Sequence, residues 1–180
     1  MSTHAPTRVG ASRDWLLPTI GMASRLVVGG IWIWAGSLKL PDPASSISAV
    51  RAYQLLPPDA AEIVGRVLPT LEVVVGVCLL LGLLTRFNGA VSALLQLAFI
   101  TGIVSVWSRG IAINCGCFGD GGPDPDAFGK YPWEVARDTG LLALSLYLVW
   151  LRRTPYAVDN LLFPHQPARR GEATNVEEGP

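Results

Sequence analysis

The stretch Phe87–Ser108, FNGAVSALLQLAFITGIVSVWS, lies between Arg86 and Arg109 and carries no ionisable side chain. A helix needs about 20 mostly apolar residues to cross roughly 30 Å of hydrocarbon. Inside a bilayer every backbone N–H and C=O must find its partner within the protein, so a run of this length and polarity reads as a membrane-spanning helix. Working outward, the chain has three more such runs. The first is Pro18 to Leu40, with only Arg25 and Lys39 ionisable, both near its ends, where long cationic side chains can snorkel to the headgroups. It is too long for the apolar part of a secretory signal, and no small-residue cleavage site follows it. The second ends at Leu84. Asp59 and Glu62 have the spacing of an N-cap and its N3 partner, so a helix is expected from Ala60, kinking near Pro69 where it enters the bilayer. The last is Trp133 to Leu151, opened by Pro132 at a first-turn position and closed by Arg152-Arg153.

Composition agrees with this reading. Half of the 180 residues are hydrophobic and 16% are charged, against about 25% charged in a soluble domain. Four apolar runs in so short a chain leave too little other sequence to bury them. The expected fold is all-α: a polytopic membrane protein built as a four-transmembrane-helix bundle, with spans at about 18–40, 64–84, 87–108 and 133–151. Residues 1–17 and 153–180 read as disordered tails. Net charge is zero without a basic block, which excludes a nucleic-acid partner.

An even number of spans places both tails on one side. Arg8, Arg13, Arg86, Arg152, Arg153, Arg169 and Arg170 share that side, against Arg51, Arg66, Arg109 and Lys130 on the other. The positive-inside rule then places both termini in the cytoplasm of a bacterial cell and the two longer loops outside it. Trp15 and Trp150 mark the inner interface and Trp107 and Trp133 the outer one. The connection between the second and third spans is very short, about Thr85-Arg86, so those spans are antiparallel neighbours. Asp42 to Pro58 carries Ile47, Val50, Tyr53 or Gln54, and Leu55 at helical spacing and reads as a short helix on the membrane surface. Arg109 to Pro132, rich in Gly, Pro and Asp, has no predicted regular element.

That second loop holds Cys115-Gly116-Cys117. A bridge across so small a ring is strained, and strained bridges exchange readily while adding little stability. The pair therefore reads as redox-active, either a disulfide attacked by a partner or a dithiol that a partner oxidises. A structural pair and a copper(I) site are the competing readings, but no metal site is expected: structural zinc wants four ligands, and His4 and His165 lie in the tails. The C-terminal end of the third span disfavours a thiolate nearby, an effect Arg109 can offset. Cys78 lies deep in the second span as an ordinary apolar residue. Without a second cysteine pair, a two-pair membrane oxidase using a quinone is disfavoured, and no cofactor is evident. Lys39, Glu72, Arg137 and Asp138 all fall near the outer end of the bundle. Ionisable residues in a bilayer are costly and pair inward, so a polar chamber is expected under the cysteine loop, with Lys39–Glu72 as its pair. Gln96 reads as a helix–helix hydrogen bond.

Four motifs in order carry a family resemblance: Trp34-Ala35-Gly36-Ser37-Leu38-Lys39, Tyr53-Gln54-Leu55-Leu56-Pro57, Leu68-Pro69-Thr70-Leu71-Glu72 with Gly76, and Cys115-Gly116-Cys117-Phe118-Gly119. Across residues 18–152 the chain resembles the methylamine utilisation protein MauE family, related to the DoxX-like four-helix membrane proteins. The resemblance implies an accessory role, more than an enzyme's, in maturing methylamine dehydrogenase, a secreted enzyme with a disulfide-rich subunit. It implies an extracytoplasmic thioredoxin-fold partner with which Cys115 and Cys117 exchange disulfides. Lys39, Glu72, Arg109 and Asp138, by their own placement in the chain, are expected to be the polar cluster that supports the pair. Two alternatives stand beside it: a DoxX-like scaffold whose cysteines are only structural, and a quinone-linked membrane oxidoreductase.

Overall fold

The computed structural model describes residues 13–119 and 121–151. The expected tails, apart from residues 13–17, lie outside the described residues, as does the side chain of Trp15. Five helices and one hairpin follow in order: α1 Arg13–Lys39, α2 Pro43–Ala52, α3 Pro58–Leu81, α4 Thr85–Ser108, β1 Ile113–Cys115, β2 Gly121–Pro123 and α5 Ala127–Trp150. Three segments are long and apolar enough to cross a membrane: Thr19–Lys39, Pro58–Leu81 and Thr85–Ser108. Their outward faces carry Leu26, Trp34, Val67, Val74, Phe87, Leu94 and Val104, all exposed, as a lipid-facing surface requires.

The four long helices form two antiparallel pairs, α1 with α3 and α4 with α5, which meet across a shared core. Small residues bring α1 and α3 together. A Cβ added at Gly29 would stand 2.9 Å from the Gly76 carbonyl oxygen, and one at Gly36 would stand 2.7 Å from that of Pro69. Without a hydrophobic drive between helices in lipid, such close backbone approach and interhelical hydrogen bonds hold a bundle. The bonds are here as well: Trp32 Nε1 donates to Ser92 Oγ at 2.7 Å, and Ser92 Oγ and Ser145 Oγ lie 2.8 Å apart, joining α1, α4 and α5.

Several local expectations are corrected. Arg25 does not snorkel. It is buried, and its guanidinium donates to the carbonyls of Leu79 and Leu80 at 3.0 Å each. Both carbonyls lie in the last turn of α3, where the helix runs out of its own donors, and a cation there also meets the negative end of the helix dipole. Asp59 is not an N-cap, because α3 already begins at Pro58 and passes through Pro69. Glu62 pairs instead with Arg51 and Arg66 on the exposed surface. The α3–α4 connection is Gly82 to Leu84. Gly82 has φ +68° and closes α3 with its N–H on Leu79 O, while Leu83 N–H reaches Cys78 O, so Thr85 and Arg86 belong to α4. Helix α5 starts at Ala127, which puts Pro132 inside it rather than at its opening.

Helix α2 is capped at its start, with the Asp42 carboxylate accepting from Ser45 N–H at 3.1 Å and Pro43 in the first turn. Its buried face differs from expectation. Ser46 and Ala49 are buried, while Ile47, Val50 and Tyr53 are half-buried and Leu55 is exposed. The reason is what α2 lies on: it packs against α3 and against the β1–β2 hairpin, so its small residues mark the contact.

Candidate functional site

The loop expected to be irregular folds into an antiparallel hairpin, pairing Ile113 with Pro123, Asn114 with Gly122 and Cys115 with Gly121. Tyrosines anchor it from two sides. Tyr131 Oη, from α5, accepts from Ile113 N–H at 3.0 Å and lies 2.8 Å from the Ile111 carbonyl. Tyr53 Oη, at the end of α2, donates to the Cys115 carbonyl at 2.7 Å. Burial raises the Tyr53 phenol far above its ordinary pKa, so it stays a donor. Ala49 of α2 presses on the hairpin from above. A Cβ at Gly121 would stand 2.2 Å from Ala49 Cβ, and one at Gly116 would stand 2.9 Å from it. Gly116 also has φ +67°, a left-handed conformation that only glycine adopts without strain. The glycine between the cysteines is therefore fixed twice, by its backbone and by α2.

The two cysteines are free thiols and both are buried, at 6% exposure each. Residues of α4, α5 and the hairpin pack around both sulfurs, with Tyr53 against them. Cys117 N–H donates to Cys115 Sγ at 3.4 Å. The Cys117 thiol also serves Cys115, and these bonds hold the Cys115 thiol below its ordinary range. Acting as donor to Cys115, together with burial, pushes the Cys117 thiol well up. The pair is asymmetric in its contacts, with Cys115 Sγ the acceptor and Cys117 the donor. It follows that Cys117→Ala raises the Cys115 pKa toward that of an ordinary thiol. The check is the pH dependence of iodoacetamide alkylation of Cys115, which moves to higher pH in the variant and stays put if the neighbouring thiol has no such role.

Lys39, at the end of α1, places Nζ 2.6 Å from Glu72 Oε1 of α3, and both are buried. The same ammonium lies 5.4 Å from the Phe99 ring centroid. Asp138 is buried and pairs through Oδ1 with its neighbour Arg137 at 2.9 Å. Arg137 stacks over Phe118, 4.7 Å from the ring centroid, and the Phe118 ring also meets Trp34, at 5.1 Å between centroids. Arg137, not Arg109, is the cation whose field reaches both thiols. Arg109 lies at the exposed end of α4 and donates to the carbonyls of Tyr53 and Ser105. Its link to the pair runs only through Tyr53. Cys78 is half-buried in the last turns of α3, away from this cluster.

The pair sits between two small cavities. Cys115 lines one with Lys39, Tyr53, Ser46 and Phe99. Cys117 lines the other with Glu72, Gln96, Trp32, Arg137 and Asp138. Gln96 thus faces the second cavity. Glu134 is a residue the sequence reading missed. It is buried, and its carboxylate faces Cys115. One signal was available: Glu134 lies four residues before Asp138, on the same helix face. Tyr53 and Tyr131 gave no comparable signal, since nothing local points a tyrosine at a distant strand. Among the described residues no group of three His, Cys, Asp or Glu side chains is arranged to hold a metal ion. Two adjacent thiols of unequal acidity, in a loop gripped by buried charges, suit thiol–disulfide exchange.

A family model described as methylamine utilisation protein MauE matches residues 17–151. No curated protein and no solved structure matches the chain.

Proposed function

The chain belongs to the methylamine utilisation protein MauE family, and from that membership we propose that it is a membrane-embedded partner in disulfide chemistry outside the cytoplasm. Cys115 and Cys117 exchange disulfides with a thioredoxin-fold protein, in the service of a secreted, disulfide-rich enzyme subunit of methylamine metabolism. The observation that carries this reading is the asymmetric pair: Cys115 accepts from Cys117 while both remain free thiols. The buried sulfurs require α2 to lift from the hairpin during exchange, and its contact there is made by small residues. The chain is then an accessory factor whose chemistry is completed by a second protein.

The reading includes a topology. Helix α5 is the fourth span: its 24 residues extend about 36 Å at 1.5 Å per residue, and Trp133, Leu146 and Trp150 are exposed along it. With both tails cytoplasmic, the hairpin and α2 face the outside of a bacterial cell membrane, where disulfides form and persist. A single-cysteine variant of the thioredoxin-fold partner is expected to trap a mixed disulfide with this chain in intact cells. The Cys115→Ser/Cys117→Ser double variant gives none. Equal trapping by that double variant would sink the exchange reading, and labelling of Cys115 by a membrane-impermeant thiol reagent only after lysis would sink the topology. The scaffold alternative differs in outcome: there the double serine variant still supports maturation of the secreted enzyme.

A further inference from the structure

The cavity beside Cys117 is lined by all four long helices: Trp32 and Ala35 from α1, Glu72 from α3, Gln96 and Phe99 from α4, and Asp138 and Leu141 from α5, together with Phe118. It has room for a water molecule. Glu72 is 0% exposed and Asp138 3%. Each carboxylate gives one oxygen to its cation, Oε1 to Lys39 and Oδ1 to Arg137. The other oxygens, Glu72 Oε2 and Asp138 Oδ2, are buried and accept no hydrogen bond from the protein. A buried polar atom left so costs about 1–3 kcal/mol, more when charged. Two such atoms beside one small cavity, with Gln96 as a further partner, meet the requirement of an internal water for two to four polar contacts.

We propose that this cavity is a proton-transfer site, in which water held by Glu72 Oε2 and Asp138 Oδ2 takes the proton of the Cys117 thiol when the pair closes to a disulfide and returns it when the pair is reduced. The inference rests on the exchange reading above. In the oxidising direction, the Cys115 thiolate attacks one sulfur of an incoming disulfide, forms a mixed disulfide and expels the first leaving thiolate. Cys117 must then lose its proton. Cys117 is 6% exposed and lines the cavity that Glu72 and Asp138 share, so the proton passes to cavity water and on to a carboxylate. The Cys117 thiolate attacks Cys115 Sγ, forms the Cys115–Cys117 bond and expels the second thiolate. Two electrons leave the pair for the incoming disulfide, and the two expelled thiolates take protons from solvent. The charged groups lining the cavity are Glu72 from α3 and Arg137 and Asp138 from α5; Lys39 of α1 stands behind it as the partner of Glu72 and lines the neighbouring cavity, and Glu134 of α5 lies toward Cys115. Helix α4 contributes only neutral residues to the lining.

The test uses the full chain, reduced, in phosphatidylethanolamine–phosphatidylglycerol vesicles, with glutathione disulfide as the oxidant. Acid quench and alkylation separate glutathionylation of Cys115 from closure of the pair. In Asp138→Asn and in Glu72→Gln, glutathionylation keeps its wild-type rate while closure at neutral pH slows by about tenfold or more and recovers as pH rises. Asp138→Glu, which keeps the carboxyl, closes faster than Asp138→Asn. On wild-type protein, the oxidised-minus-reduced infrared difference shows a carboxylic acid C=O band, a readout that depends on no variant folding. Closure at the wild-type rate in both amide variants, or a difference spectrum without a carboxylic acid band, overturns the proton site alone. Wild-type protein that never closes its pair overturns the exchange reading and this inference with it.

Discussion

Lys39→Met is expected to destabilise the bundle by about 3–5 kcal/mol. The variant leaves the Glu72 carboxylate, 0% exposed, without the ammonium that stands 2.6 Å away in the wild type. A charge in a low-dielectric interior is tolerable only beside its counter-charge, so removing one partner costs far more than the pair contributes. Phe99 offers the ammonium a second favourable contact but gives nothing to the carboxylate. Glu72→Leu is expected to cost a similar amount by stranding Lys39. The Lys39→Met/Glu72→Leu double variant should recover most of the loss, because two apolar side chains of suitable size replace a buried ion pair at little net cost. Denaturant unfolding in bicelles measures all four proteins. Additive losses in the double variant would mean that Lys39 and Glu72 are stabilised by other groups and not by one another.

Gly121→Ala has the second largest expected effect, and it falls mainly on the site. The added methyl would stand 2.2 Å from Ala49 Cβ and 2.8 Å from Ala49 Cα. Neither atom is the free end of a flexible side chain, so α2 or the hairpin has to move. Overpacking of this kind costs about 1–3 kcal/mol. Gly121 pairs directly with Cys115, so the displacement passes straight to that thiol. Mixed-disulfide trapping should fall steeply while the rest of the bundle stays folded. Ala49→Gly in the same chain removes the nearer clashing atom and restores trapping in part, because the clash with the backbone of residue 49 persists. Full trapping by Gly121→Ala alone would show that α2 does not hold the hairpin.

The residues behind these two effects differ in how far the chain itself reveals them. The apolar runs behind α1, α3 and α4 are legible because span length and lack of charge are properties of consecutive residues. Lys39 and Glu72 stand out within them for the same reason. The ends of the helices are less readable. Arg25 has the look of a terminal, snorkelling cation, yet the C-terminal carbonyls of α3 draw it inward from a helix paired through Gly29 and Gly76. The hairpin at the cysteines escaped notice because its strands are three residues long and glycine-rich. Such strands have no periodicity to read, and they exist because Tyr131, Tyr53 and Ala49 hold them.

By itself the sequence determined that several helices cross a membrane, that Cys115, Gly116 and Cys117 form a unit, and that ionisable residues collect near it. All three follow from residue type at short range and from the cost of charge in hydrocarbon. Only the tertiary structure decided that the thiols are buried, that Cys117 donates to Cys115, that Arg137 and Glu134 face the pair in place of Arg109, and that Glu72, Glu134 and Asp138 each leave one buried carboxylate oxygen without a protein partner. Each of these depends on contacts between residues far apart in the chain, such as Ala49 with Gly121 and Tyr53 with Cys115. No local pattern encodes them, because they arise only when α2, the hairpin and α5 close on one another.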